Sequence, residues 1–377
     1  MKFNGIRYTI VSVFISMLLI LIFSCFKKSE PQSRDPLKWP FSRHSIWNMP
    51  IGDSARYIHA RLEPANGEGL TLDEDLICLT PKAPMMGIYE NSAGWDSKKN
   101  RCDAEGKLLY SVPFPDNLVY GPHNWVASPG FMPNAGLVSL MPDGRTIKQS
   151  QPFARCYAGK PGTSMVLFKD QDIYGEGIYG AHGGSGLSAL GGCIRVGELM
   201  PGSGPIRHAI KMNIWAAENI PYDSIHKGFT WPAPLADGYA AEIYGTGKRS
   251  TPFVKEVLMG ALLALPSRMS IDSLAFETDP GKRLAQAFQD YGAYIVDDTY
   301  RDCWAIETEW GADGRWSDQF KKSYGFDFET KGVKNAWSRD LDKIFFNLHV
   351  VVNNKPGSPG GGGNPRKPLS PQFRIVK

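Results

Sequence analysis

No C-x-x-C pair occurs among the 6 cysteines, and no H-x-x-x-H or H-x-H pair among the 7 histidines. Both local zinc patterns are therefore excluded on spacing, which leaves only ligands far apart in the chain. The acids show no EF-hand spacing. The nucleophile elbow G-x-S-x-G is missing too: Ser185 stands in G-G-S-G-L, so a serine hydrolase of that kind is excluded. Charge is sparse. Lys and Arg total 42 against 38 acids, and no basic cluster is interleaved with aromatics. The net charge of +4, about +2 without Lys2 and Arg7, is too small for electrostatic nucleic-acid binding. No internal repeat is visible.

Long apolar runs are confined to Tyr8–Phe23, which is short for a bilayer span. Lys2 and Arg7 precede it, and Leu21-Ile22-Phe23-Ser24-Cys25 follows, the layout of an export signal. This resembles the lipobox of bacterial lipoproteins. The resemblance implies cleavage after residue 24, lipidation of Cys25, and an exported chain anchored to the bacterial outer membrane or cell surface. An uncleaved membrane anchor is the alternative. Residues 25–40, polar and Pro-containing, read as a flexible tether. Setting Cys25 aside leaves five cysteines, an odd number that forbids a fully paired disulfide framework. Cys78–Cys102 is the simplest bridge on loop length.

What remains is a globular composition: 42% hydrophobic and 21% charged, with 40 Gly and 28 Pro marking many turns. Residues 41–354 read as a single large β-rich domain, mainly β, of β-sandwich or jelly-roll type, with a few peripheral α-helices. Short strands are expected at Leu108–Val112, Leu118–Tyr120, Gly136–Leu140, Thr146–Ile147 and Ser164–Phe168, and across His208–Trp215. Asp279 as N-cap, Pro280 after it and Gly292 as C-cap bracket a helix carrying Leu284, Ala287, Phe288 and Tyr291. A strand over Ala293–Val296 follows. Trp304–Trp310 alternates, with Glu307 and Glu309 opposite Trp304, Ile306 and Trp310. A second helix covers Ala336–Leu348 and feeds the strand His349–Val352. Residues 355–377, with four successive glycines from Gly360 to Gly363, read as a flexible surface segment.

The most chemically loaded stretch is Gly177–Leu199. It holds His182, Ser185, Cys193 and Arg195 among glycines that let backbone approach a ligand closely. Cys193–Val196 reads as a strand leaving this turn. His182-Gly183 and Gly191-Gly192-Cys193-Ile194-Arg195 match part of the L,D-transpeptidase signature. That chemistry needs a thiolate, a His to take its proton and an Arg for a carboxylate or oxyanion. The His–Cys spacing is shorter than in that family, and a small Cys buried on a strand is the plainer reading.

A second constellation is acidic. Asp297 and Asp298 end one strand and Asp302, Glu307 and Glu309 follow, so the two strands could pair as a hairpin across Thr299–Arg301. Paired carboxylates on a rigid sheet suit glycoside hydrolysis; a solvated strand face is the bland alternative. No cofactor is expected, save a calcium ion that Asp297, Asp298 and Asp302 would suit. Tryptophans beside Gly, Pro or Asn, Trp125 among them, are the type that lines a sugar cleft.

Three segments, Trp47–Gly52, His182–Leu199 and Leu284–Asp298, resemble an uncharacterised family of secreted bacterial proteins. The likeness implies an extracellular, glycan-related role. The expected function is thus a surface carbohydrate-active protein, a polysaccharide-degrading glycosidase or lyase. Its catalytic residues would be drawn from His182, Arg195, Glu307, Glu309 and Asp297, with Tyr179, Trp125 and Ser185 contacting substrate. Alternatives are a non-catalytic glycan-binding lipoprotein and an L,D-transpeptidase-like enzyme using Cys193 and His182. Partners would be a polysaccharide or cell-wall glycan and, through the lipid, a membrane.

Overall fold

The computed structural model describes residues 33–94, 101–102, 106–120 and 134–373. Cys25 and Trp125 lie outside them. The chain divides into two units, Met1–Arg34 with Pro371–Lys377, and Asp35–Ser370. In the first, Arg34 bridges Phe373, with its guanidinium 3.9 Å from the ring centre. The second holds the body.

Its strands run β1 (Tyr57–His59), β2 (Gly69–Cys78), β3 (Met85–Glu90), β4 (Leu108–Pro113), β5 (Leu137–Leu140), β6 (Thr146–Gln151), β7 (Gly162–Ser164) and β8 (Val166–Leu167). There follow β9 (Gln171–Asp172), β10 (Ile210–Ile214), β11 (Leu262–Ala264), β12 (Ala293–Asp298), β13 (Cys303–Gly311), β14 (Gly314–Arg315) and β15 (His349–Val351). The helices are α1 (Ala216–Asn219), α2 (Ala240–Ile243), α3 (Asp279–Asp290), α4 (Trp316–Tyr324) and α5 (Ala336–Phe345). The body is mainly β with peripheral helices, as its Gly- and Pro-rich composition implies.

Twelve strands form one sheet whose main path is β1-β15-β11-β12-β10-β13-β2-β5-β6-β8. Its centre is mixed: β10 runs parallel to β12, and β2 runs parallel to both β13 and β5. A jelly roll would be antiparallel there; long crossovers through helices and loops supply the parallel pairs instead. Sandwich packing occurs locally. The small sheet β4-β3-β7 closes over β2 and β5, with Ile88, Val112, Phe114, Leu76, Cys78 and Leu137 buried between them. The apolar face of the central strands is covered by helices, where Trp304 of β13 stacks on Phe345 of α5 at 4.2 Å.

The bracketed helix forms as α3, but its N-cap is Thr278, not Asp279. The Thr278 hydroxyl accepts from Gly281 N at 3.1 Å, which satisfies a free backbone donor and leaves Pro280 harmlessly in the first turn.

Four further expectations need correction. β12 and β13 do not form a hairpin, because β10 lies between them, parallel to one and antiparallel to the other. The disulfide joins Cys102 to Cys156, with Cα atoms 5.6 Å apart; Cys78 ends β2 inside the apolar layer, fully buried and unbridged. Residues 355–370 are not a loose tail. Gly360 and Gly361 are buried, and Gly52 approaches Gly362 so closely that a Cβ on it would stand 1.9 Å from the Gly362 carbonyl oxygen. The end of the expected tether also folds into the body, where the Trp39 indole donates to Asn48 Oδ1 at 2.8 Å.

Candidate functional site

The central strands carry charge on one face. Register sets Glu307 beside Asp73, Glu309 beside Asp75, and Ala305 beside both Thr71 and Asn213. Side chains alternate across a strand, so Lys211, Asn213, Asp73, Asp75, Glu307 and Glu309 share a face, while Met212, Ile306 and Leu72 share the other. Asp297 joins the charged face through an irregularity. Met212 pairs with Ile295, yet Asn213 pairs with Asp297, so Val296 is passed over as a bulge and Asp297 turns towards the charged side.

This face is not solvated. Glu307 and Lys211 are fully buried, and Asp75, Asn213 and Glu309 nearly so. Burying charge is tolerable only when it is paired. The cover is the Gly177–Leu199 stretch. Its carbonyls at Ser188 and Ala189 accept from Lys211 Nζ at 3.2 and 2.8 Å, and Lys211 also pairs with Asp75. Further on, Ile194 alone bridges Thr308 through two backbone hydrogen bonds, to Glu307 O and from Glu309 N, where a strand was expected. A turn from Gly180 to Leu187 drops His182 onto the acids, with His182 N bonded to Leu187 O at 3.1 Å.

His182 is 3% exposed and stands between two carboxylates. Its Nε2 is 3.2 Å from Glu307 Oε1, and its Nδ1 is 3.3 Å from Asp297 Oδ2. The Nδ1 contact is an ion pair lacking hydrogen-bond direction. The Asn213 amide donates to Glu307 Oε1 at 2.7 Å and to Asp73 Oδ2 at 3.0 Å. Burial alone would lower the His182 pKa, but Glu307 and Asp297 outweigh it and hold the imidazole well above its ordinary value. Burial pushes Glu307 up, yet His182, Lys211 and Asn213 bring it below the usual carboxylate range. Asp73 goes well above that range, through burial and then the charge of Glu307.

Beside this cluster opens a cavity of about 880 Å³, lined among others by Asp73, Asn213, Asp237, Tyr239, Asp297 and Asp298. Gly183 and Gly184 form part of its wall. A Cβ at Gly184 would stand 2.2 Å from Asp297 Oδ1 and 3.1 Å from Asp237 Oδ2, so glycine is what lets two carboxylates crowd the same backbone. Burial and the charge of Asp297 push the Asp237 carboxyl up to about 7, against the hydrogen bond it accepts from Tyr244 OH at 2.5 Å. Tyr239 and Tyr300 meet edge to face at 5.5 Å on the rim. Tyr300 has φ 54, a left-handed backbone that non-glycine residues adopt at a cost.

The expected site residues divide. His182, Glu307 and Asp297 converge here. Glu309 does not: it binds Arg195 through two contacts of 2.8 and 3.2 Å, and the pair lines a separate cavity of about 540 Å³ with His208 and Glu198. Tyr179 is exposed and bridges Leu187, while Ser185 is buried with its hydroxyl accepting from Leu187 N at 3.3 Å. Cys193 is buried against a cavity of only about 20 Å³, and burial raises its thiol pKa well above the ordinary value. Asp73, Asn213 and Asp237 were missed. The alternation of Thr71, Asp73 and Asp75 with Leu70, Leu72 and Leu76 was a readable signal for the first; Asp237, in a loop, had none.

Among the described residues, the group of three whose ligand atoms could hold a metal ion is Asp73, His182 and Glu307, all within 4.8 Å of one another. The trio Asp297, Asp298 and Asp302 is not such a group. Asp298 Oδ1 accepts from Ala216 N and Tyr300 N, and Asp302 Oδ1 from Asn66 N. Set against known protein families, curated proteins and solved structures, the chain matches none of them.

Proposed function

We propose that the 880 Å³ cavity is the substrate cleft of a glycoside hydrolase acting on polysaccharide. The observation that carries this reading is the convergence of two carboxyls, Asp237 and Asp297, on Gly184 at the cavity wall, where burial and the charge of Asp297 push Asp237 up to about 7. Glycoside hydrolysis needs that asymmetry: a neutral acid to protonate the leaving oxygen and an ionised partner as base or nucleophile. Asp237 is assigned the first role. Asp297, in ion-pair contact with His182, takes the second. The rings of Tyr239 and Tyr300 offer flat faces for a sugar, and the cavity has the size of a ligand cleft.

A lyase is less well supported, since Arg195, the cation meant for a uronate, is bound to Glu309 in the other cavity. A purely binding role predicts no convergent ionisable groups, whereas this cleft gathers them. Cysteine chemistry finds little support in a thiol held protonated by burial. Lipid anchoring through Cys25 would place the cleft at the cell surface. Calcium on Asp297, Asp298 and Asp302 would have to compete with the backbone amides those carboxylates already hold.

The test is a polysaccharide panel assayed for reducing ends and for unsaturated products. Reducing ends without unsaturated ends, reduced about 10²–10⁴-fold by Asp237→Asn, are expected. Unsaturated products, or turnover unaltered by Asp237→Asn, would sink the assignment.

A further inference from the structure

We propose that Asp73, His182 and Glu307 bind a divalent transition-metal ion, zinc or manganese, beneath the part of the cleft wall that Asp73 and Asn213 line. This goes beyond the hydrolase reading and does not depend on it. His182 Nε2 and Glu307 Oε1 are 3.2 Å apart, close to the roughly 3.3 Å that separates two ligands on one tetrahedral zinc. Asp73 closes the group.

Two further atoms point to a ligand. Glu307 Oε2 and Asn213 Oδ1 are buried without any hydrogen-bond partner, in side chains 0% and 2% exposed. Buried polar groups are almost always satisfied, so such orphans call for an explanation. Asn213 is not a member of the trio, yet its amide donates to both acids of it and it lines the cleft.

The donor set chooses the ion. One imidazole nitrogen with two carboxylates suits zinc or manganese, whereas calcium asks for six or more oxygens. Asp297, in ion-pair contact with the other ring nitrogen at 3.3 Å, lies on the side where metal-binding histidines keep a carboxylate, and it acts here through its charge as a positioning residue. Three protein ligands leave coordination positions free, and Asp73, which lines the cleft, is the member of the three through which it is reached.

The full chain, dialysed against EDTA, would be titrated calorimetrically with Zn²⁺, Mn²⁺, Ca²⁺ and Mg²⁺. One Zn²⁺ or Mn²⁺ per chain is expected, with Ca²⁺ and Mg²⁺ at least tenfold weaker. Asp73→Asn and Glu307→Gln should weaken binding at least tenfold, and Asp297→Asn about 10–100-fold. Should a variant fail to fold, Mn²⁺ on the wild-type chain still decides, because pulsed EPR would register the nitrogen of His182. No uptake by the folded wild type, uptake unchanged in Asp73→Asn, or no nitrogen coupling overturns the site. His182 would then be an imidazolium held by its two carboxylates. Asp237→Asn removes none of the three ligands and should bind the ion as the wild type does. Loss of hydrolysis and loss of metal are thus read separately.

Discussion

His182 meets Asp297 at 3.3 Å because β12 slips one residue against β10 just before the acid. Without that bulge, strict alternation would turn Asp297 to the apolar face with Ile295. The strand would then bury a lone carboxylate among hydrophobic side chains, so the irregularity serves both stability and the site.

The Asp237 carboxyl, pushed up to about 7 by burial and by Asp297, sets a pH dependence. A general acid works only while it holds its proton, so kcat/KM should fall as pH rises through about 7. Folding follows the same sign. A carboxyl that binds its proton more tightly when folded adds stability as pH drops from about 7 towards 4. Asp237→Asn should abolish the alkaline limb and raise Tm at pH 8. A profile flat between pH 6 and 8 would refute this.

Gly184→Ala tests the crowding at the cleft wall. The new methyl would stand 2.2 Å from Asp297 Oδ1, so that carboxylate must move. A loss of about 1–3 kcal/mol in unfolding free energy is expected, the usual cost of overpacking. Hydrolysis should fall further than stability does. Ser185, next to it, is the control, since its hydroxyl bonds only within its own turn among the contacts seen.

Lys211 and Asp75 form a wholly buried ion pair beneath the Gly-rich stretch. Lys211→Met alone would leave Asp75 charged and unpaired, costing about 3–5 kcal/mol. Replacing both by apolar residues should recover much of it. Urea unfolding of the two single variants and the double would measure this coupling; simple additivity would contradict it.

His208 and Glu198 pair at 2.9 Å at the second cavity. Burial opposes charging both, but each partner outweighs it: His208 is raised and Glu198 lowered. The raised histidine contributes fully below its ordinary 6.5, and that share is lost as pH climbs through the folded pKa. The lowered acid contributes above 4.5, and its share is lost as pH falls. His208→Gln should therefore lower Tm most between about pH 4.5 and 6.5. An equal effect at pH 9 would argue against the pair.

The apolar periodicities of α3, α5 and β10 were plain in the sequence because each buries one regular face. The Gly-rich stretch was also readable as the place where His182 would sit. Strand order was not. Nothing local says that β10, some 80 residues upstream of β12, inserts between β12 and β13, and the hairpin reading failed for that reason. It followed that Glu309 was grouped with Glu307, although adjacent turns of one strand face deliver them to different cavities. Asp73 belongs with Glu307 only through a parallel pairing across more than 200 residues.

The run Gly360–Gly363 lies against Pro50–Asp53, and that same opening segment carries Trp47, whose indole donates to Gly177 O at 2.7 Å and fills the space beside Gly191 and Gly192. A clip near the far end of the body thus braces the loop that seats His182. Trimming the chain before Pro359 should loosen the cleft from 177 residues downstream of His182.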